Sequence, residues 1–133
     1  MKTPPNLHGR EFDWFCFDQN GAVGLFATAG EGFVPACALK NHSLHDSGSE
    51  QMETPNWGSL PVWSDIAEHG LYVYDWSLPE GPYVRVSSPT AKARSAVVEE
   101  IIGMIQMDIY QGSFASTKEI SDIESFIEGS KIK

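Results

Sequence analysis

Phe12-Asp13-Trp14-Phe15-Cys16-Phe17-Asp18-Gln19-Asn20-Gly21-Ala22-Val23-Gly24-Leu25-Phe26 is the stretch that decides the fold. Two apolar, aromatic arms flank Asn20-Gly21, the residue types that tolerate positive φ in a tight turn, so the segment reads as a β-hairpin. The first arm is apolar on both faces from Trp14 to Phe17. It is therefore expected inside a sheet or under a helix rather than at a solvated edge.

Beyond the hairpin, Ala29-Gly30-Glu31-Gly32 reads as a flexible link, and Pro35 opens a short helix to about Asn41. The run from His45 to Thr54 is polar without a clear period, and within it His45 to Glu50 reads as a mobile surface loop. A helix is expected from about Leu60 to His69, capped by Ser59, ended by Gly70, with Val62, Trp63, Ile66 and Ala67 as its apolar stripe. Strands at 71–76 and 83–87, joined by Pro79-Glu80-Gly81-Pro82, form a second antiparallel pair.

From Ser95 a helix runs with Val97, Val98, Ile101 and Ile102 on one side, and Gly103 is its candidate cap. Alternation from Met104 to Tyr110 suggests a strand, with continuation of the helix as the competing reading, Ser113 to Thr117 suggests another strand, and Ser121-Asp122-Ile123-Glu124 opens a short final helix through Ile127. The expected architecture is α+β: an antiparallel sheet of about four to six strands with two or three helices on it.

The 133 residues suit a single domain, 1–133, and a composition 41% hydrophobic and 11% aromatic can fill a core. The N-terminus has no apolar stretch after Lys2, and no run approaches the roughly 18 apolar residues of a membrane span. Cys16 and Cys37 read as reduced thiols in a cytoplasmic protein. The net charge is −9, and residues 11–84 carry eleven Asp and Glu against Lys40 alone. Such a field disfavours nucleic acid and anionic membranes and favours a basic protein partner.

No catalytic constellation or cofactor motif emerges. His42 and His45, with Cys37 nearby, match no closed four-ligand pattern and read as exposed loop histidines rather than a metal site. Gly30-Glu31-Gly32 lacks the Lys-Ser/Thr of a phosphate loop and reads as a turn. Asp18-Gln19-Asn20-Gly21 has Val23 and Ala29 where a calcium loop needs Gly and Glu. Glu99 and Glu100 point about 100° apart on a helix and form a solvated face. Trp14 and Trp63 are assigned to the core, and Trp57 to the surface.

The string Trp14-Phe15-x-x-Asp18-x-x-Gly21-x-x-x-x-Phe26-x-Thr28-x-Gly30-x-Gly32-x-x-Pro35 resembles the opening of a group of small bacterial proteins of uncharacterised function. The segments Gly70-Leu71-Tyr72-Val73-Tyr74-Asp75-Trp76 and Gly81-Pro82-Tyr83-x-Arg85 are similar to the same group. The resemblance spans residues 12–90 and implies a bacterial α+β domain without an attached activity. Size and acidity also resemble those of toxin-neutralising immunity proteins, an analogy of class.

Two functions follow as expectations. In the first, a non-enzymatic acidic module steers in a basic partner through Glu31, Glu50 and Glu53 and anchors it on Trp57 and Tyr83. In the second, a small-molecule pocket or minor hydrolase site is lined by Tyr72, Tyr74, Asp75 and Arg85, with Arg85 pairing an anionic group.

Overall fold

The hairpin forms as its residues require. In the computed structural model, which describes residues 12–52, 62–90 and 93–128 (side chains of 62–64 excepted), β1 (Asp13–Asp18) pairs antiparallel with β2 (Val23–Ala27). Gly21 takes φ +84° in the turn. Asp18 completes it, its Oδ1 accepting from the Asn20 and Ala22 amides at 2.8 and 3.0 Å. The two-sided apolar arm is interior: β1 lies between β2 and β5 (Asp108–Tyr110), and Trp14, Phe15 and Cys16 are fully buried.

The second expected pair is present as β3 (Tyr72–Trp76) and β4 (Tyr83–Ser87), antiparallel and preceded by Gly70 at φ +92°. With β6 (Glu119–Ile120) and β7 (Phe126–Glu128) the sheet has seven strands in the order β6-β4-β3-β2-β1-β5-β7. It is larger than expected and mixed: β2 pairs parallel with β3, and β1 parallel with β5. Both parallel pairs need long crossovers, and these carry the helices α1 (Ala36–Lys40), α2 (His42–Glu50), α3 (Val62–Ala67) and α4 (Ala96–Met104).

Period-two alternation splits the core in two. On the outer face Phe15, Val23, Leu25 and Val73 pack against Ile66 of α3, Val98 and Ile101 of α4, and Met52. On the inner face the sheet curls into a half-barrel filled by Trp14, Phe26, Tyr74, Tyr83, Phe114 and Phe126. Trp14, Phe26 and Tyr74 are register partners on adjacent strands. Their rings stack with centroids 4.4 and 4.7 Å apart, the spacing of neighbouring strands. Gly24 leaves the slot that the Phe114 ring fills, since a Cβ there would stand 3.0 Å from that ring.

Several local expectations are corrected. The polar run from His45 is not a surface loop: His42–Glu50 is helix α2, with His45, Gly48 and Ser49 buried against the sheet. Gly103 lies within α4, and Ile105 caps it, while Ser95 begins it by accepting from the Val98 amide. The strand expected over 104–110 is confined to β5, because Met104 still belongs to α4. Phe114–Ser116 is a 3-10 turn rather than a strand, its Phe114 amide held by Asp18 Oδ2 at 2.8 Å. The final helix is one 3-10 turn, Ile123–Ser125, after which the burial of Phe126 draws the chain into β7. The expected α3 start and cap at 59–61 lie outside the described residues.

Candidate functional site

The inner-face aromatics bring in the loop 28–35. Tyr83 is fully buried, its hydroxyl donating to the Phe33 carbonyl at 2.7 Å and accepting from Trp14 Nε1 at 3.2 Å. Gly32 is needed for that approach, because a Cβ there would meet the Tyr83 hydroxyl at 2.5 Å. The Gly30-x-Gly32 pair is thus a packing device: Gly30 turns at φ +84° and Gly32 yields to Tyr83. Tyr83, expected as a partner anchor, is a core residue.

Beside this loop, α1 points its first amides at β5. Asp108, 1% exposed, accepts from the Cys37 and Ala38 amides, each at 3.0 Å. This carboxylate supplies from across the sheet the cap that Pro35 has no side chain to give. Burial pushes its proton affinity up, the two amides pull it back, and Glu128 nearby raises it again. The adjacent Cys16 thiol is held protonated, first by burial and then by Asp108 and Asp18. Both cysteines are free thiols in the interior.

Between α1, the 123–125 turn and β7 lies a cleft of about 270 Å³, lined by Pro35, Ala36, Asp108, Ile123, Glu124, Phe126 and Glu128. Its walls are apolar and its charged groups are all carboxylates. Glu119, Asp122, Glu124 and Glu128 are exposed, and no base falls within 119–128. Lys40 reaches Glu128 only loosely, at 3.9 Å. An anion would be repelled here; a cationic head with an apolar stem matches both wall types.

A second acidic row crosses the outer face. Asp13 pairs with Ala27, Ala27 with Asp75, Asp75 with Val84, and Val84 with Glu119. Carboxylates thus occupy alternate strands, two strand spacings or about 10 Å apart. Asp13 and Asp75 are half-buried and have further partners.

Of the residues expected to meet a partner, Glu31 and Glu50 are exposed, while Glu53 and Trp57 lie outside the described residues. The alternative set does not converge on one cleft. Tyr72 and Tyr74 face inward, where the Tyr74 hydroxyl donates to the Thr117 carbonyl and Arg85 donates to the carbonyls of Phe114 and Ala115. Asp75 lies on the opposite face of β3. Arg85 and Tyr74 therefore pin the 114–117 turn onto the sheet.

His45 is the residue whose role sequence reasoning missed. It is fully buried, Nδ1 accepting from the Phe15 amide at 3.0 Å and Nε2 facing the Gln106 carbonyl at 3.1 Å. The amide can only donate and the carbonyl only accept, so the neutral ring with the proton on Nε2 is the fitting tautomer. Burial lowers its pKa to about 4. The ring ties α2 to β1 and to the chain entering β5. His42 is half-buried, and its Nδ1 has no hydrogen-bond partner among the described residues.

Among the described residues, no group of three or more His, Cys, Asp or Glu could hold a metal ion, and no helix is long and apolar enough to cross a membrane. No family model, no curated protein and no solved structure matches the chain.

Proposed function

We propose that the protein is a non-enzymatic acidic module that binds a basic protein partner, in its most concrete form a bacterial toxin-neutralising immunity protein. The observation that carries this reading is the acidic C-terminal rim. Exposed Glu124 and Glu128 line a cleft whose buried wall adds Asp108, and exposed Asp122 adjoins Ile123 of that lining, with no base within 119–128. Exposed Glu31 and Glu50 extend the same sign over the surface, so a basic partner is steered toward the molecule before contact. A Lys or Arg stem then lies along Pro35, Ile123 and Phe126 while its head meets Glu124 and Glu128.

The buried titratable groups support a binding rather than a chemical role. Both His45 nitrogens, both Asp108 oxygens and the Tyr83 hydroxyl are engaged in holding the fold.

The test begins with a tagged full chain used as bait in source-cell lysate, followed by stopped-flow association with any captured protein. Charge reversal at Glu31, Glu50, Glu124 and Glu128 together should slow association about tenfold or more at low salt, with the difference shrinking at high salt. Absence of any captured protein, or an association rate indifferent to both reversal and salt, would sink the reading.

A further inference from the structure

Both edges of the sheet come from one short stretch, β6 and β7. In the pairing of β7 with β5, Ile127 faces Ile109, and the Gln111 amide donates to the Ser125 carbonyl. That fixes the alternation: Ile127 turns its amide and carbonyl toward β5, and Glu128 turns both outward. Among the described residues no strand pairs with this outer edge. The Phe126 amide, which would also point outward, is taken by the Ile123 carbonyl.

The side chains of this edge also alternate. Phe126 and Glu128 share the inner face with Tyr110 and Asp108, while Ile127 shares the outer face with Ile109 and Phe17. Phe17, Ile109 and Ile127 form an apolar row across three strands, half-buried at the first two and 48% exposed at Ile127. Helix α1 contacts β5 and β7 from the inner side, where Asp108 accepts from its first amides, and α2 contacts β1, while Ile127 at the outer end of the row stays 48% exposed.

Charge selects the occupant. A second copy of this chain would set Asp122, Glu124 and Glu128 against the same carboxylates, and like charges across a strand pair destabilise it. A strand bearing Lys or Arg on one face and apolar residues on the other would meet those acids and lengthen the apolar row together.

We infer that the outer edge of β7 is a strand-addition site for an extended basic segment of the partner. The segment's backbone bonds to the Glu128 amide and carbonyl and the Phe126 carbonyl. Its apolar side chains continue the row Phe17–Ile109–Ile127, and its bases meet Glu124 and Glu128. The inference rests on the basic-partner reading and adds the surface and conformation of recognition.

The probe is a seven-residue peptide alternating Lys and Val, with two controls: the Glu-Val counterpart and a Lys-Val peptide interrupted by a central Pro. Binding to the full chain is followed by isotope-edited NMR and amide hydrogen exchange. The Lys-Val peptide should slow exchange of the Glu128 amide about tenfold or more at saturation, and the Pro-interrupted and Glu-Val peptides should not. E124K/E128K should weaken binding about tenfold, and Ile127→Thr should weaken it with the fold intact by circular dichroism. Failure of the Lys-Val peptide to bind, or equal binding of the Pro-interrupted peptide, overturns strand addition. Binding that perturbs amides around Glu31 and Glu50 and leaves Glu128 unprotected also overturns it, while leaving the basic-partner reading standing.

Discussion

Acidification should unfasten α2 through His45. Its ring accepts the Phe15 amide on Nδ1, and a protonated ring would set two N–H groups against each other there. Burial disfavours the charged ring first, and the lost Phe15 contact adds to it, so the folded state holds the proton weakly, with a pKa of about 4 against 6.5 for the free side chain. The unfolded chain binds that proton first as pH falls, so stability is full above pH 7, declines from pH 6.5 and levels out below pH 4. The whole gap is worth about 3 kcal/mol, of which about 2 kcal/mol is lost by pH 5. Asp108 works in the opposite direction, because a carboxyl whose proton affinity is raised by folding gains stability as pH falls. The comparison must therefore be internal. His45→Asn keeps an acceptor for the Phe15 amide and does not titrate, so subtracting its stability isolates the imidazole. Urea unfolding of both proteins at pH 7, 6 and 5 should show the wild-type advantage shrinking by about 2 kcal/mol across that range. A difference constant with pH to within about 0.5 kcal/mol would refute the reasoning, as would an imidazole that titrates near pH 6.5 by NMR.

Three further perturbations test the inner face and its cap. Tyr83→Phe strands the Phe33 carbonyl and Trp14 Nε1 in the interior and should cost about 1–3 kcal/mol in urea unfolding, with the fold retained. Asp108→Ala leaves the Cys37 and Ala38 amides without an acceptor and should cost about 2 kcal/mol or more, with hydrogen exchange at those two amides accelerated before global unfolding. Gly81→Ala combines φ +89° with a Cβ 2.4 Å from the Trp76 ring, so thermal unfolding should shift by about 2 kcal/mol or more and the Trp76 indole signal should move by NMR.

The parts of the fold that were legible in the sequence are those set by local chemistry. The Asn20-Gly21 turn, the strand pair around 71–76 and 83–87 and the helix from Ser95 each answer to signals within a few residues, and each formed where expected. What was illegible depends on distant partners. The run His42-Ser43-Leu44-His45-Asp46-Ser47-Gly48-Ser49-Glu50 has weak helix propensity, and it is helical because His45 bonds β1 and Gly48 lies against Phe15, Ile101 and Ile105. The capping spacing at Ser121-Asp122 did mark a turn, with Asp122 accepting from the Glu124 amide. It could not reveal that Phe126, four residues after Asp122, would be claimed by the aromatic cluster. Parallel pairing leaves no local signal, so the mixed sheet and the acidic cleft formed by α1, β5 and β7 were beyond sequence reasoning. The outlying carboxylates were visible as charge, and their gathering around Asp108 was not.

The origin of both sheet edges in residues 119–128 has a consequence for how the chain is made. Synthesis delivers β1 to β4 first, and with them Trp14, Phe26 and Tyr74, whose inner face is closed only by residues made later. Phe114, Ile120 and Phe126 arrive last and complete that cluster. A nascent or prematurely stopped chain therefore carries an open aromatic trough flanked by bare strands, the combination most prone to aggregate. The residues from Phe114 to Phe126 act as the stave that seals the cask.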